Sequence, residues 1–320
     1  MTLRLAVALD SSSFDAPEWI SRVRGADEAG LDFVTIEDGF GRHGPDAVLV
    51  ASRVAPLTRD IGLVPVATTT HTEPFHLSTA LATLDWVSRG RAGWQVRVSP
   101  DPAEFALVGI REPLGVEDLL AEAGDAVEVV RRLWDSWQDD AIVKDVATGR
   151  FIDRERLHYI DFAGRFFSVK GPSIVPRSPQ GQPVVTALAH SAAVWDALDA
   201  DLFFVTPSDV DGAARIVRRI PAGRKVFADL VVAANPVPSD AAVFTGDTEQ
   251  LADLIAGWEP SGISGFRLRP GTPDDLTSIT RDLVPVLRER GLFRPSPGGT
   301  LRERLGLPVA VNRYEGAVHA

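Results

Sequence analysis

IGLVPVATTTHTEPFHLSTALATLDWVSRGRAGWQVRV, residues 61–98, decides how this chain folds. Its two ends, 61–67 and 92–98, are short apolar runs rich in Val, Ile and Ala, while the middle, 74–88, opens on a proline and continues at helical spacing. The segment reads as a strand, a helix and a second strand, which is the repeating unit of a parallel sheet. The same alternation continues in both directions. Strands are expected at 3–9, 33–36, 61–67, 92–98, 183–187, 202–205, 226–233 and 265–268, and helices at 17–29, 46–54, 74–88, 115–137, 191–198, 209–220, 248–258 and 273–290. Eight strands, each followed by a helix, predict an α/β chain closed into a (β/α)8 TIM barrel rather than an open sheet.

A barrel of this kind takes up the whole chain, so residues 1–320 are expected as one domain. Pro17 sits in a first helical turn, Asp209 and Thr248 are candidate N-caps, and Gly291 stands where a C′ glycine would. The longest helix carries Leu119, Leu120, Ala123, Val127, Val130 and Leu133 on one face, a stripe that Trp134 and Trp137 extend. At that spacing the tryptophans are expected to pack rather than to form a ligand cage. Residues 138–182 break the alternation as an insertion between the fourth helix and the fifth strand. Tyr159, Phe162, Phe166 and Phe167 make it too aromatic for disorder, and the reading favours a lid over the barrel mouth above a structural hairpin. The tail, 295–320, is punctuated by Gly and Pro with one helical piece near 301–305, and is expected to wrap the outside.

A formal charge of -11 and a pI near 5.1 argue against nucleic acid or an anionic membrane as partner. The absence of cysteine excludes disulfides, thiolate nucleophiles and thiolate metal sites. No stretch approaches membrane-spanning length and the apolar run from Leu5 is too short for a signal segment, so a soluble, cytoplasmic protein is expected.

Barrel enzymes build their sites at the carboxyl ends of the strands. Four clusters stand there: Glu37 and Asp38 after strand two, Thr70 and His71 after strand three, Gln95 to Ser99 on strand four, and Ala189, His190 and Ser191 after strand five. Glu37 and Asp38 are adjacent, so only one can face the mouth, which disfavours a paired-carboxylate mechanism. His71 and His76 are five residues apart, off the spacing that pairs two ligands on a helix, and no metal is expected. No G-x-S-x-G elbow, Walker A loop or G-x-G-x-x-G fingerprint is present. The residues by themselves give a barrel with a polar mouth and no named reaction.

Longer strings go further. FVTIED (33–38), TTTHTEPFH (68–76), LATLDWVSRGRAGW (81–94), VEVVRRLWDSW (127–137) and HYIDFAGRFFSVKGPSIVPRSPQGQP (158–183) resemble the luciferase-like flavin-dependent monooxygenases. The resemblance is to the branch that includes the nitrilotriacetate and dibenzothiophene-sulfone monooxygenases. It implies an enzyme that receives reduced FMN from a separate NAD(P)H:flavin reductase and transfers one atom of O2 to a small organic molecule. It also implies a homodimer formed through helices two and three. Such a site must exclude water, a role the reading gives to the aromatic insertion.

Residue by residue, the resemblance places Gln95 and Ser99 near the flavin ring, with Val98 where a threonine is usual. It places Ala189, His190 and Ser191 at the phosphate, in place of a Gly-Ser-Ser type turn. Leu120 stands where a phosphate-assisting tyrosine is usual. The candidate catalytic residues are His71, Thr70 and Gln95; the candidate cofactor contacts are Glu37, Asp38, Thr70, Gln95, Ser99, Ala189, His190 and Ser191. The altered phosphate contacts leave two alternatives, an oxidoreductase using the deazaflavin F420 on the same barrel, or a non-catalytic member that binds flavin weakly. The connection after strand seven, from Asn235 to Thr248, is short for the family, and the substrate is not fixed by these residues.

Overall fold

The computed structural model describes residues 2–315. Eight parallel strands form the barrel: β1 (Arg4–Leu9), β2 (Phe33–Ile36), β3 (Gly62–Thr68), β4 (Gly93–Arg97), β5 (Val184–Leu188), β6 (Leu202–Val205), β7 (Lys225–Val232) and β8 (Gly265–Pro270). Each pairs with the next, β8 pairs with β1 from Arg4↔Gly265, and β6 with β7 from Leu202↔Lys225, so the sheet closes on itself. The expected strands and the barrel are therefore observed. Outside them lie α1 (Ala16–Ala29), α2 (Ala47–Val54), α3 (Pro74–Ser88), α4 (Val116–Asp135), α5 (Ala192–Ala197), α6 (Val210–Val217) and α7 (Thr248–Trp258). The eighth helical stretch, Pro273–Ser278, runs through a π-helical segment, Ile279–Leu283, into Val284–Glu289. Asp209 caps α6 as expected, whereas α7 is capped by Asp247, not Thr248, because the Asp247 carboxylate and Gln250 form a capping box.

Successive strand residues alternate between the helix layer and the barrel interior. Leu5, Val7, Val34, Ile36, Phe203, Val205, Phe266 and Leu268 face the helices and belong to the main core. Ala6, Phe33, Val64, Val184, Leu202, Phe204 and Phe227 fill the interior. The lower end of that interior is closed by the tail. Leu301, Leu305 and Leu307 join the interior cluster, with Leu301 on a short helix, Leu301–Arg304, capped by Thr300. Gly62 makes room for it, since a Cβ there would lie 2.7 Å from Leu301. The tail is expected on the outside; its stretch 301–307 is instead the plug at the strand-start end, because three leucines bury more apolar surface there than on a polar flank, while 308–315 run on over the outside, with Val309 and Val311 exposed and Asn312 donating to Trp137 O.

The insertion also lies elsewhere than expected. It joins the carboxyl end of α4 to the start of β5, both at the strand-start end. Trp137 donates to Ser173 O at 2.7 Å, Arg177 pairs with Asp135, and Asn312 of the tail donates to Trp137 O. Its hairpin Phe162–Ala163/Ser168–Val169 then climbs the outer flank of α4: Ile160, Val169, Phe162 and Phe167 pack on Val129, Leu133 and Phe75. The aromatic residues cover this flank and do not roof the mouth. Segments expected as plain connections stand at the mouth instead, the helix Pro102–Val108 after β4 and the strand Ala242–Phe244, which pairs with the end of β7.

Candidate active site

At the carboxyl ends of the strands the interior turns polar. Arg267 of β8 points inward because Phe266 and Leu268 on either side face the helices. It is 1% exposed. A buried guanidinium needs partners, and these come from three other strands. Its Nε donates to Asp229 Oδ1 at 2.7 Å, its Nη2 to Asp229 Oδ2 at 2.5 Å, and its Nη1 to Gln95 Oε1 at 2.5 Å and Thr35 Oγ1 at 3.4 Å. Its guanidinium carbon lies 4.0 Å from the centre of the Phe204 ring. Beside Gln95 in register, Thr186 carries a buried hydroxyl with no hydrogen-bond partner. Arg267, Asp229, Gln95, Thr35 and Phe204 form the floor of the mouth.

Glu37 and Asp38 divide as the strand geometry requires. Glu37 faces the mouth, its carboxylate 3.9 Å from Arg267. Burial pushes its carboxyl above the ordinary range against the pull of Arg267. Asp38 turns away and accepts from the backbone N–H of Gly39 at 2.7 Å and of Ala47 at 2.8 Å, holding the loop into α2. Arg97 donates to Asp38 O and to Glu104 Oε1 of the helix Pro102–Val108, fastening that helix to the rim.

The remaining candidates are placed less directly. Thr70 and Ser99 are fully buried and spent on each other's loops: Ser99 N donates to Thr70 Oγ1 at 3.1 Å, and the Ser99 hydroxyl shares a hydrogen bond with Thr68. His71 adopts a left-handed φ of 68° and stands edge-on against Phe105, its ring centre 4.4 Å away. Both of its nitrogens are buried without a partner, and burial holds its pKa down. It lies under the Pro102–Val108 helix, off the floor. The N–H of Ala189 is used by Phe204 O at 2.7 Å, and the Ser191 side chain makes no cap to α5. His190 is half-exposed, its Nε2 3.4 Å from Asp240 and its Nδ1 3.4 Å from Thr206 Oγ1.

Two hollows open over the floor and share Glu37 and Leu188. One, of about 320 Å³, is walled by Val66, Val98, Leu120, Ala187, Val194 and Leu198, with Gln95 at its base. The other, of about 240 Å³, is bounded by Arg267, Arg269, Asp10 and Ser239. Sequence reasoning missed Arg267, Asp229 and Arg269. A signal was present, because Asp229, Arg267 and Arg269 are charges set at inward-facing positions between the apolar residues of KVFADLVV and GFRLRP.

Residues 2–264 match the family described as luciferase-like monooxygenase. The chain belongs to that family. With it comes the enzyme class, the flavin-dependent monooxygenases. The chain is 28% identical to N-acetyl-S-(2-succino)cysteine monooxygenase of Bacillus subtilis (strain 168), over 90% of this chain and 87% of that protein. That alignment runs to 384 positions against a chain of 320 residues, so the relative carries insertions absent here. The chain is 27% identical to dibenzothiophene-sulfone monooxygenase of Rhodococcus erythropolis, over 86% of this chain and 83% of that protein. A long-chain alkane monooxygenase has the same fold, with a TM-score of 0.87 at 20% identity, covering 96% of each chain.

A flat tricyclic ring with polar edges fits this mouth. The apolar walls suit its faces, while the Gln95 amide and the Glu37 carboxyl suit its edges.

Proposed function

We propose that this protein is the oxygenase component of a two-component system: it receives reduced FMN from a separate reductase and inserts one oxygen atom into a small organic substrate. The observation that carries the reading is the braced polar floor at the carboxyl ends of a family barrel, beneath an apolar-walled hollow large enough for a ring system. The bound flavin supplies the oxygen-transfer chemistry. The chain's part is to hold and to shield. Arg267 keeps Gln95 fixed by a hydrogen bond, Glu37 sets a carboxyl group, raised above its ordinary range by burial, at the edge of the hollow, and Val66, Val98 and Leu120 exclude water. FMN is favoured over F420 because the longer anionic tail of F420 would need a track of free cations, and the mouth arginines are already paired.

We also propose a homodimer through α2 and α3, where Leu49, Trp86 and Val87 are exposed. Cytoplasmic residence suits a cysteine-free chain that relies on a reductase. Reoxidation of reduced FMN by O2, followed by stopped-flow absorbance with protein in excess, tests the main reading. Bound flavin is expected to reoxidise at a rate different from free flavin. An unchanged rate at saturating protein, together with no quenching of FMN fluorescence, overturns it.

A further inference from the structure

The charges at the mouth are mutually satisfied. Arg267 is paired with Asp229, Arg97 with Glu104, Arg42 with Asp10, and Arg269 with Asp240 at 2.8 Å. Asp240 also faces His190 Nε2 at 3.4 Å. Its carboxylate thus stands between a cation from the end of β8 and an imidazole from the end of β5, reaching across the rim from the loop after β7. The Arg269 hydrogen bond and charge outweigh burial and hold Asp240 below the ordinary range, so it is an anion at neutral pH. Glu37 adds an acidic group whose neighbouring cation, Arg267, is committed to Asp229. Of the other residues lining the larger hollow, Arg97 is the one paired with Glu104, His190 is the one facing Asp240, and Val98, Leu120, Val194 and Leu198 are apolar.

We infer that Asp240 is a built-in counter-anion occupying the cationic subsite at the rim of the mouth, so that the site recognises a flavin by its uncharged ring and ribityl chain and gains little from a phosphate. The inference rests on the flavin reading and goes beyond it, since it predicts that riboflavin and FMN bind alike. The physical reason is exchange. A phosphate that reached Arg269 and His190 would displace a carboxylate already there, so one charge-assisted hydrogen bond replaces another with small net gain.

The test is a pair of fluorescence-quenching titrations, riboflavin and FMN, against the intact protein and against Asp240→Asn. For the natural sequence the two dissociation constants are expected to agree within about threefold, because an exchange of equivalent ion pairs is nearly neutral. In Asp240→Asn, Arg269 loses its nearer carboxylate, keeping only Asp229 at 3.7 Å, and the His190 imidazole loses its anionic neighbour, so FMN is expected to gain about tenfold while riboflavin is unchanged, with the gain shrinking as salt is added. Adding Arg269→Gln to Asp240→Asn is expected to erase the gain, which separates an anion site from a looser loop. FMN binding about thirtyfold or more tighter than riboflavin in the natural protein overturns the inference and leaves the flavin reading standing. An FMN-to-riboflavin ratio unmoved by Asp240→Asn also overturns it. Binding of neither flavin removes the flavin reading and the inference together.

Discussion

The two ends of the barrel use the same chemistry for different purposes. At the strand-start end, Asp201 accepts from Arg131 Nη2 at 3.0 Å, Arg302 Nη2 at 3.0 Å and Val185 N at 2.9 Å, and Leu301, Leu305 and Leu307 fill the space beside this cluster. At the strand-end mouth, Arg267 and Asp229 are buried as deeply, yet the next layer upward, Glu37, Arg97 and Arg269, faces open hollows. Below, the chain's own tail supplies the covering residues; above, that place is left for a ligand. Buried ion pairs thus mark both the brace and the site, and what lies on top of them tells the two apart.

The largest expected effect is at the brace. Asp201→Ala takes this carboxylate from two buried guanidiniums, which should cost about 5 kcal/mol in urea unfolding at neutral pH. The two arginines hold the Asp201 carboxyl low despite its burial. Its contribution is therefore present above the unfolded value of 3.8 and is lost as pH falls through the lower native value. A loss below about 1 kcal/mol would make the brace no more than a surface pair.

Next comes the floor. Arg267→Leu strands Asp229 in the interior and should cost about 4 kcal/mol, while Arg267→Leu with Asp229→Leu should recover most of that stability. The double variant separates the two ends. Flavin affinity is expected to stay at least about tenfold weaker although the barrel is folded, because Gln95 has lost its brace. A refolded double variant that binds flavin normally would reduce the floor to a structural pair.

The strand-start end also holds a carboxyl of the opposite sense. Asp32 accepts from Leu5 N at 2.8 Å and from Arg4 at 3.1 Å, but burial wins and pushes its pKa up to about 6. Between 3.8 and about 6 the native state keeps a proton that the unfolded chain has released, so stability falls as pH rises through that window. The fall is about 3 kcal/mol at most, and Asp32→Asn should flatten it. Equal slopes for the two proteins in pH-dependent unfolding would remove Asp32 from the account.

The barrel was legible in the sequence because alternation of period two on strands and helical spacing between them are local patterns. The destinations of 138–182 and of the tail were not, because an aromatic hairpin or a leucine triplet shows that a segment is buried and not against which end. Of the candidate site, Glu37 and Gln95 face the mouth because strand parity dictates it. Thr70 and Ser99 had the right position, but their hydroxyls are consumed by each other's loops, a pairing across 29 residues that no local pattern shows. Arg267 and Asp229 could have been read as inward charges on apolar strands.

The smallest expected effect compares the floor with the rim inside the mouth. Gln95 Oε1 is held by Arg267 at 2.5 Å and its side chain stands at the base of the larger hollow, whereas His190 is half-exposed and faces Asp240. Removing a fixed, buried amide leaves the Arg267 donor unsatisfied and takes away a contact in place before the ligand arrives. Gln95→Ala is therefore expected to weaken flavin binding about tenfold. Removing an exposed imidazole leaves Asp240 still paired with Arg269, so His190→Ala should change binding by no more than about twofold. Parallel fluorescence titrations rank the two. A loss at His190 equal to or greater than that at Gln95 would move recognition from the floor to the rim, and would make Asp240 a partner of the bound ligand rather than its substitute.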